Sequence, residues 1–227
     1  MIPLENRAVL VVGASLGIGR ETAVGFAREG CRVALTYLRD EDEANEATAR
    51  CRAAGAADAV ALPLDVRGEA SIRACVAAVV ERFGSIDILV HSAGVVVWRP
   101  FVDQTPEEID EQVAVNLTGV MMLTSVALPH VRDAVIVLGS STALRDVPTL
   151  SVYGAAKWGV RGFVKALARE LPDKRAFCVH PAHTATRMND FVGMPAERVA
   201  EVVVRAAKGE IDPGPGAEVD VRDHVEG

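Results

Sequence analysis

Seven short, largely apolar runs, each containing at least one valine, are spaced through the chain, and longer helical patterns separate them. The runs are Ala8–Val12, Arg32–Tyr37, Ala59–Leu64, Asp87–Ser92, Ala134–Gly139, Ala176–His180 and a last short one at Ala217–Val221. Within most of these runs polar and apolar residues do not alternate, which is the mark of a strand buried on both faces. The intervening segments are long enough for crossover helices: Gly17–Glu29, a charged helix within Arg39–Arg52, Glu69–Arg82, Pro106–Leu128, Leu150–Leu171 and Ala196–Lys208. Repeated βα units of this kind dictate an α/β fold, a doubly wound parallel sheet of about seven strands with helices on both faces. No linker-like stretch interrupts the series, and "DPGPG" (Asp212–Gly216) reads as a turn, so the 227 residues are expected to form one domain.

Composition supports that reading and narrows the partners. Half the residues are apolar but only 4% are aromatic, so Val, Ala and Leu must fill the core. A net charge of −7 with no basic cluster argues against nucleic acid. Cys31, Cys51, Cys75 and Cys178 show no C-x-x-C spacing, and the N-terminus lacks a basic region followed by a long apolar one, so a cytoplasmic location is expected. From Gln112 to Val131 the chain carries no formal charge over the length of a membrane span. Gln112, Asn116, Pro129 and His130 fall inside it, and a helix buried between a sheet and a neighbouring subunit is expected there instead of a membrane anchor.

The first strand runs into "GASLGIG", with Gly13, Gly17 and Gly19 at the turn into a helix. Glycines there permit a tight turn and a close approach of backbone N–H groups to a pyrophosphate, which the positive end of the helix also attracts. Farther on, "SVYGAAKWGV" places Tyr153 and Lys157 four residues apart, hence on one face of a helix. A nearby ammonium favours the phenolate, so the pair is suited to moving a proton near neutral pH. Ser140 lies at the end of the fifth strand, where open α/β sheets bind ligands, with Ser141 beside it as the alternative. Asn116 is an amide inside a helical pattern. His180 and His183 find no third ligand at metal-binding spacing, and no metal is expected.

These pieces, in order, resemble the short-chain dehydrogenase/reductase family from about Ala8 to Met188. The matches are the G-x-x-x-G-x-G spacing, "LDV" (Leu64–Val66), "HSAG" (His91–Gly94), "VNLTG" (Val115–Gly119), Ser140, "YGAAK" (Tyr153–Lys157) and "HPAHTATRM" (His180–Met188). The resemblance implies a Rossmann-type domain that transfers hydride between a nicotinamide dinucleotide and a carbonyl or secondary alcohol. It assigns Tyr153 as general acid or base, Lys157 as its electrostatic partner and ribose ligand, Ser140 as the hydroxyl that orients the substrate oxygen, and Asn116 as holder of a relay water. It also implies a cofactor cleft formed by Gly13, Ser15, Gly17, Ile18, Gly19, Tyr37, Arg39, Asp65, Val66, Ala93, Gly94, Pro181, Thr184 and Thr186, together with Tyr153 and Lys157. Arg39, just past the second strand, suits a 2′-phosphate and hence NADP, while Asp40 could instead serve the ribose of NAD.

Family members commonly pair through the helices that carry the Asn and Tyr, so a homodimer or homotetramer is expected. Three departures stand out: His91-Ser92 replaces the usual Asn pair, Ala182 replaces the usual glycine, and only Arg187 to Pro195 separates Thr186 from the next helix. The last of these leads us to expect an open or partner-completed pocket for a small-molecule substrate. "VVVW" (Val95–Trp98), Ala143, Leu144, Met188, Phe191 and Met194 suggest apolar walls, while Trp98 and Trp158 themselves are expected to serve the core or an interface and not to anchor substrate. The rival readings are a nucleotide-sensing protein that kept the fold without the chemistry, and a lyase or epimerase on the same scaffold.

Overall fold

In a computed structural model, which describes residues 1–214 and 218–225, the seven strands form one parallel sheet. They are β1 (Ala8–Val12), β2 (Arg32–Tyr37), β3 (Asp58–Pro63), β4 (Ile86–His91), β5 (Val131–Leu138), β6 (Arg175–His180) and β7 (Glu218–Asp220), in the order β3-β2-β1-β4-β5-β6-β7. The helices are α1 (Gly17–Arg28), α2 (Glu41–Ala54), α3 (Glu69–Phe83), α4 (Pro106–Val113), α5 (Gly119–Ala127), α6 (Ser151–Glu170) and α7 (Ala196–Ala207). The expected start of the last strand at Ala217 and the end of the "DPGPG" turn lie outside the described residues.

Strand geometry alternates side chains between two faces, and the core divides accordingly. Val9 and Val11 of β1 pack with Ala23, Phe26 and Ala27 of α1, Ala44 and Ala47 of α2, and Val199 and Val203 of α7. Ala8, Leu10 and Val12 point the other way, onto Ile72 and Val79 of α3, Leu123 of α5 and Val160 of α6. All five β1 side chains are buried, and each buried Val or Leu contributes about 1.5–3 kcal/mol. Both faces of the strand are thus spent on packing, which is why its sequence does not alternate.

The ends of the elements follow local chemistry. α2 and α3 stop at Gly55 and Gly84, both in the left-handed conformation, and α4 starts with a capping box in which Thr105 and Glu108 satisfy each other's backbone N–H. β5 begins three residues before the expected Ala134, with Val131 paired to Ile86 of β4 and Asp133 paired with Arg7 at 2.7 Å and Arg175 at 3.0 Å. The expected helix Pro106–Leu128 is not uniform. A π-helical turn at Ala114–Thr118 joins α4 to α5, and Asn116 sits in it. By length and composition the stretch Pro106–His130 could cross a membrane; here Val115, Leu123 and Ala127 pack into the core.

The strand order reverses between β1 and β4. Connections leaving the sheet to either side of that point open a crevice at the carboxyl ends of the strands.

Candidate active site

A cavity of about 790 Å³ occupies that crevice. At one end it is bounded by Tyr37, Leu38, Asp65 and Arg67, past β2 and β3; at the other by Ser140, Tyr153, Trp98 and His183. Its floor is the turn between β1 and α1.

Gly13 adopts φ +71°, and a Cβ there would fall 2.6 Å from the Ala93 Cα, so the close contact of the turn with the β4 loop needs glycine. α1 starts after Leu16, whose side chain offers no cap, and no acidic residue lies in its first turn. Its first N–H groups therefore have no side-chain cap from the residue preceding the helix, and they carry the positive end of the helix dipole into the cleft. That cradle, with Ser15, Gly17, Ile18 and Gly19 lining the cavity, fits the pyrophosphate of a dinucleotide.

Most of the expected cofactor residues line the same cavity: Gly13, Ser15, Gly17, Ile18, Gly19, Tyr37, Asp65, Val66, Ala93, Gly94, Pro181, Thr184 and Thr186. Asp65 Oδ1 accepts the Arg67 backbone N–H at 2.9 Å, and its carboxylate holds the Arg67 guanidinium at 2.7 and 2.9 Å. That pairing keeps the Asp65 carboxyl below the usual range. Arg39 differs from expectation: it is exposed and does not line the cavity, whereas its neighbours Leu38 and Asp40, the latter the alternative ribose ligand, do. It still lies close enough to Asp65 to lower that carboxyl further.

At the far end Tyr153 and Lys157 face the same way from α6, with Lys157 Nζ 5.6 Å from the Tyr153 ring centre. Lys157 is buried and donates to the Leu138 carbonyl at 2.8 Å. Burial pulls its pKa down to about 8. Burial also raises the Tyr153 phenol, and a hydrogen bond with the Ser140 hydroxyl opposes that rise. Within the protein's own side chains the phenol thus keeps its proton at neutral pH; the expected lowering by Lys157 is not seen, and the Ser140 hydrogen bond is what opposes desolvation. Ser140 Oγ accepts the Thr142 N–H at 3.2 Å, and Ser141, largely buried beside it, donates its backbone N–H to Pro181.

Asn116 does not line the cavity. Its amide accepts the Val95 N–H at 3.2 Å and donates to the Val95 carbonyl at 2.8 Å, pinning the loop that follows β4. Gly94 completes this contact: a Cβ there would come within 2.9 Å of Asn116 Oδ1 and 3.9 Å of Lys157 Nζ. His91, in the place of the usual Asn, is buried and hydrogen-bonded to Thr124 at 2.9 Å; burial first, then Lys157, push it down to about 3, so it is neutral. His180 is also buried, and its Nδ1 lies 3.1 Å from the Ser140 carbonyl and 3.2 Å from the Ser140 nitrogen. Ala182 has no left-handed backbone, so the missing glycine leaves no strain there.

The loop from Thr186 to α7 is compact, closed by Phe191 N–H to Thr186 O at 2.9 Å and Met194 N–H to His183 O at 2.9 Å. It leaves Met188, Phe191 and Val192 exposed; of these Met188 lines the cavity, and Phe191, expected as a wall, does not. Sequence reading missed Arg67, Arg145, Asp146 and Pro148 as lining residues, because they lie on irregular loops with no spacing signal.

The comparisons with known proteins agree with this geometry. The family described as short chain dehydrogenase matches residues 7–195. Versicolorin reductase 1 of Aspergillus parasiticus is 30% identical over 199 residues, covering 86% of this chain and 76% of its own. Tetrahydroxynaphthalene reductase of Pyricularia oryzae is 32% identical over 175 residues, covering 76% of this chain and 62% of its own. A short chain dehydrogenase from Burkholderia cenocepacia, solved in complex with NADP, superposes with a TM-score of 0.90 at 29% identity, covering 96% of this chain and 97% of that one. With the sheet order, the glycine cradle and the family match over most of its length in agreement, the chain belongs to the short-chain dehydrogenase family and is an NAD(P)-dependent oxidoreductase.

Proposed function

We propose that the protein reduces a ketone to a secondary alcohol with NADPH, with Tyr153 as the proton donor. The observation that carries this reading is the meeting of Tyr153, Ser140 and the buried Lys157 at one end of a cleft whose floor is an uncapped helix N-terminus. The bound nicotinamide dinucleotide supplies the hydride that becomes the new C–H bond.

Tyr153 gives its phenolic proton to the carbonyl oxygen as that oxygen takes the electron pair of the breaking C=O bond. The phenol is protonated at neutral pH and so has a proton to give, although its raised pKa makes it a weaker acid than a free tyrosine until the site is filled. Ser140 hydrogen-bonds the same oxygen and holds it beside the phenol. Lys157 binds the ribose hydroxyls and stabilises the phenolate left behind; Leu138 O fixes its ammonium for both tasks. Asn116 keeps the Val95 segment in place, with its amide committed to Val95 and Gln112.

The NADP complex of the Burkholderia relative and Arg39, next in sequence to the cavity-lining Leu38, support NADP, while Asp40 in the cavity wall is the feature that would suit the ribose of NAD. One fungal relative is named as a reductase of tetrahydroxynaphthalene, an aromatic compound, and the cavity-lining Val95, Val96, Trp98 and Met188 suit an apolar substrate of that kind. The partly exposed Val113, Met121 and Trp158, on the helices that carry Asn116 and Tyr153, support a homo-oligomer formed through that face.

The test is a panel of aryl and alkyl ketones with NADPH and NADH, followed by loss of reduced-nicotinamide absorbance. Turnover with NADPH is the expected result. Cofactor binding without consumption on any carbonyl would favour a sensing protein and sink the reductase reading.

A further inference from the structure

The segment leaving β4 runs from Ser92 to Pro100 with neither helix nor strand. Backbone of this kind still needs hydrogen-bond partners where it is shielded from water. Three side-chain amides supply them at every second residue. Asn116 takes both backbone groups of Val95. Gln112, one turn earlier on the same helix face, accepts the Val97 N–H at 3.2 Å. Gln104 donates to the Arg99 carbonyl at 3.1 Å.

The amides are also tied to one another. Gln112 Nε2 donates to Gln104 Oε1 and to the Glu108 carbonyl, both at 3.0 Å, and Asn116 Nδ2 donates to the Gln112 carbonyl at 2.9 Å. Gln104, Gln112 and Asn116 are 9%, 1% and 0% exposed, so little water competes for these bonds. A strand presents its backbone groups to one side at alternate residues, and here a ladder of amides stands where a neighbouring strand would be.

Trp98 sits between the last two rungs. It is half exposed, lines the cavity, and sets its ring edge-on to His183 at 6.4 Å and 62°. An indole can slide and turn on a loose loop; on a loop fixed at Val97 and Arg99 its position is set by the protein.

We infer that Gln112 and Gln104 are positioning residues that hold Trp98 as a fixed wall of the substrate end, and so select flat, apolar carbonyl compounds that lie against the indole. This rests on the proposed reading of that end as the substrate site. A wall already in place spares the ordering cost of binding, and an aromatic face adds contact area that a small aliphatic ketone cannot use.

Two measurements test it. The chain has two tryptophans, so Trp158→Phe leaves Trp98 as the only indole, and acrylamide quenching of its fluorescence then reports its exposure whether or not the protein turns over a substrate. Gln112→Leu and Gln104→Leu should each raise the quenching constant. In kinetics, Gln112→Leu should raise KM for an aryl ketone about tenfold while kcat and NADPH affinity stay within about twofold. Trp98→Ala should give the same loss, and the double variant should be no worse than Trp98→Ala alone.

Unchanged quenching in a folded variant, or losses that multiply in the double variant, overturn the inference. If Gln112→Leu does not fold, Gln112→Glu keeps the acceptor for Val97 and loses both donors; it should give an intermediate quenching constant, and a wild-type value overturns the inference. Absence of turnover in every variant including the wild type refutes the reductase reading alone, and quenching then decides whether the ladder holds Trp98.

Discussion

Lys157 Nζ lies 5.6 Å from the centre of the Tyr153 ring and spends a hydrogen bond on the Leu138 carbonyl at 2.8 Å. The ammonium is therefore held by the end of β5 and not by the phenol. An ammonium has three donors, so the Leu138 bond leaves others over.

Replacing Tyr153 with Phe removes one hydroxyl and little volume. If that hydroxyl is the proton donor, kcat should fall by roughly 10²–10⁴ while NADPH affinity stays within about twofold. Titration of cofactor fluorescence alongside single-turnover kinetics checks both. A variant that retains near-normal turnover would falsify the proton-transfer role.

The depressed pKa of Lys157 makes stability depend on pH with a definite sign. Below about 8 both folded and unfolded chains carry the proton, and the buried charge costs its full amount. Between about 8 and the ordinary value of 10.5 the folded protein releases the proton while the unfolded chain keeps it, so stability rises with pH. Urea unfolding of wild type and Lys157→Met at a series of pH values should show the wild type gaining on the variant across that window. A gap that is constant, or that moves the other way, would mean the ammonium is not penalised by burial.

Arg39 is the test of cofactor preference. Its guanidinium is exposed, so its attraction to a 2′-phosphate is softened by solvent, and Arg39→Ala should lower the NADPH-to-NADH ratio of kcat/KM by about tenfold or less. Equal use of both cofactors by the wild type would remove the argument for this residue.

Gly13→Ala tests the cradle. The new methyl would need both a left-handed backbone and the space held by the Ala93 Cα at 2.6 Å. A loss of about 1–3 kcal/mol in stability is expected, seen as a Tm lower by several degrees, with dinucleotide binding weakened beyond that. Wild-type Tm and binding would show that the turn is looser than its contacts imply.

The elements were legible in the sequence because each is governed by local pattern. β1 and β2 fall on the residues that the runs Ala8–Val12 and Arg32–Tyr37 mark out, and α6 lies within a residue of its expected ends. The i, i+4 spacing of Tyr153 and Lys157 was enough to place them on one face. Pattern is silent on what a side chain does once packed. Asn116 stood out as an amide in a helix, but its clamp on Val95 and the π-helical turn around it arise from the contact of two segments 21 residues apart.

The sequence by itself determined the doubly wound sheet, the glycine turn and the tyrosine–lysine pair, because hydrophobic period and residue spacing act over a few residues. Only the tertiary structure decided that Arg39 stands outside the cavity, that desolvation raises the Tyr153 phenol, and that Gln104, Gln112 and Asn116 form one ladder behind Trp98. Burial and long-range hydrogen bonds depend on which surfaces meet, and no stretch of chain carries that information alone.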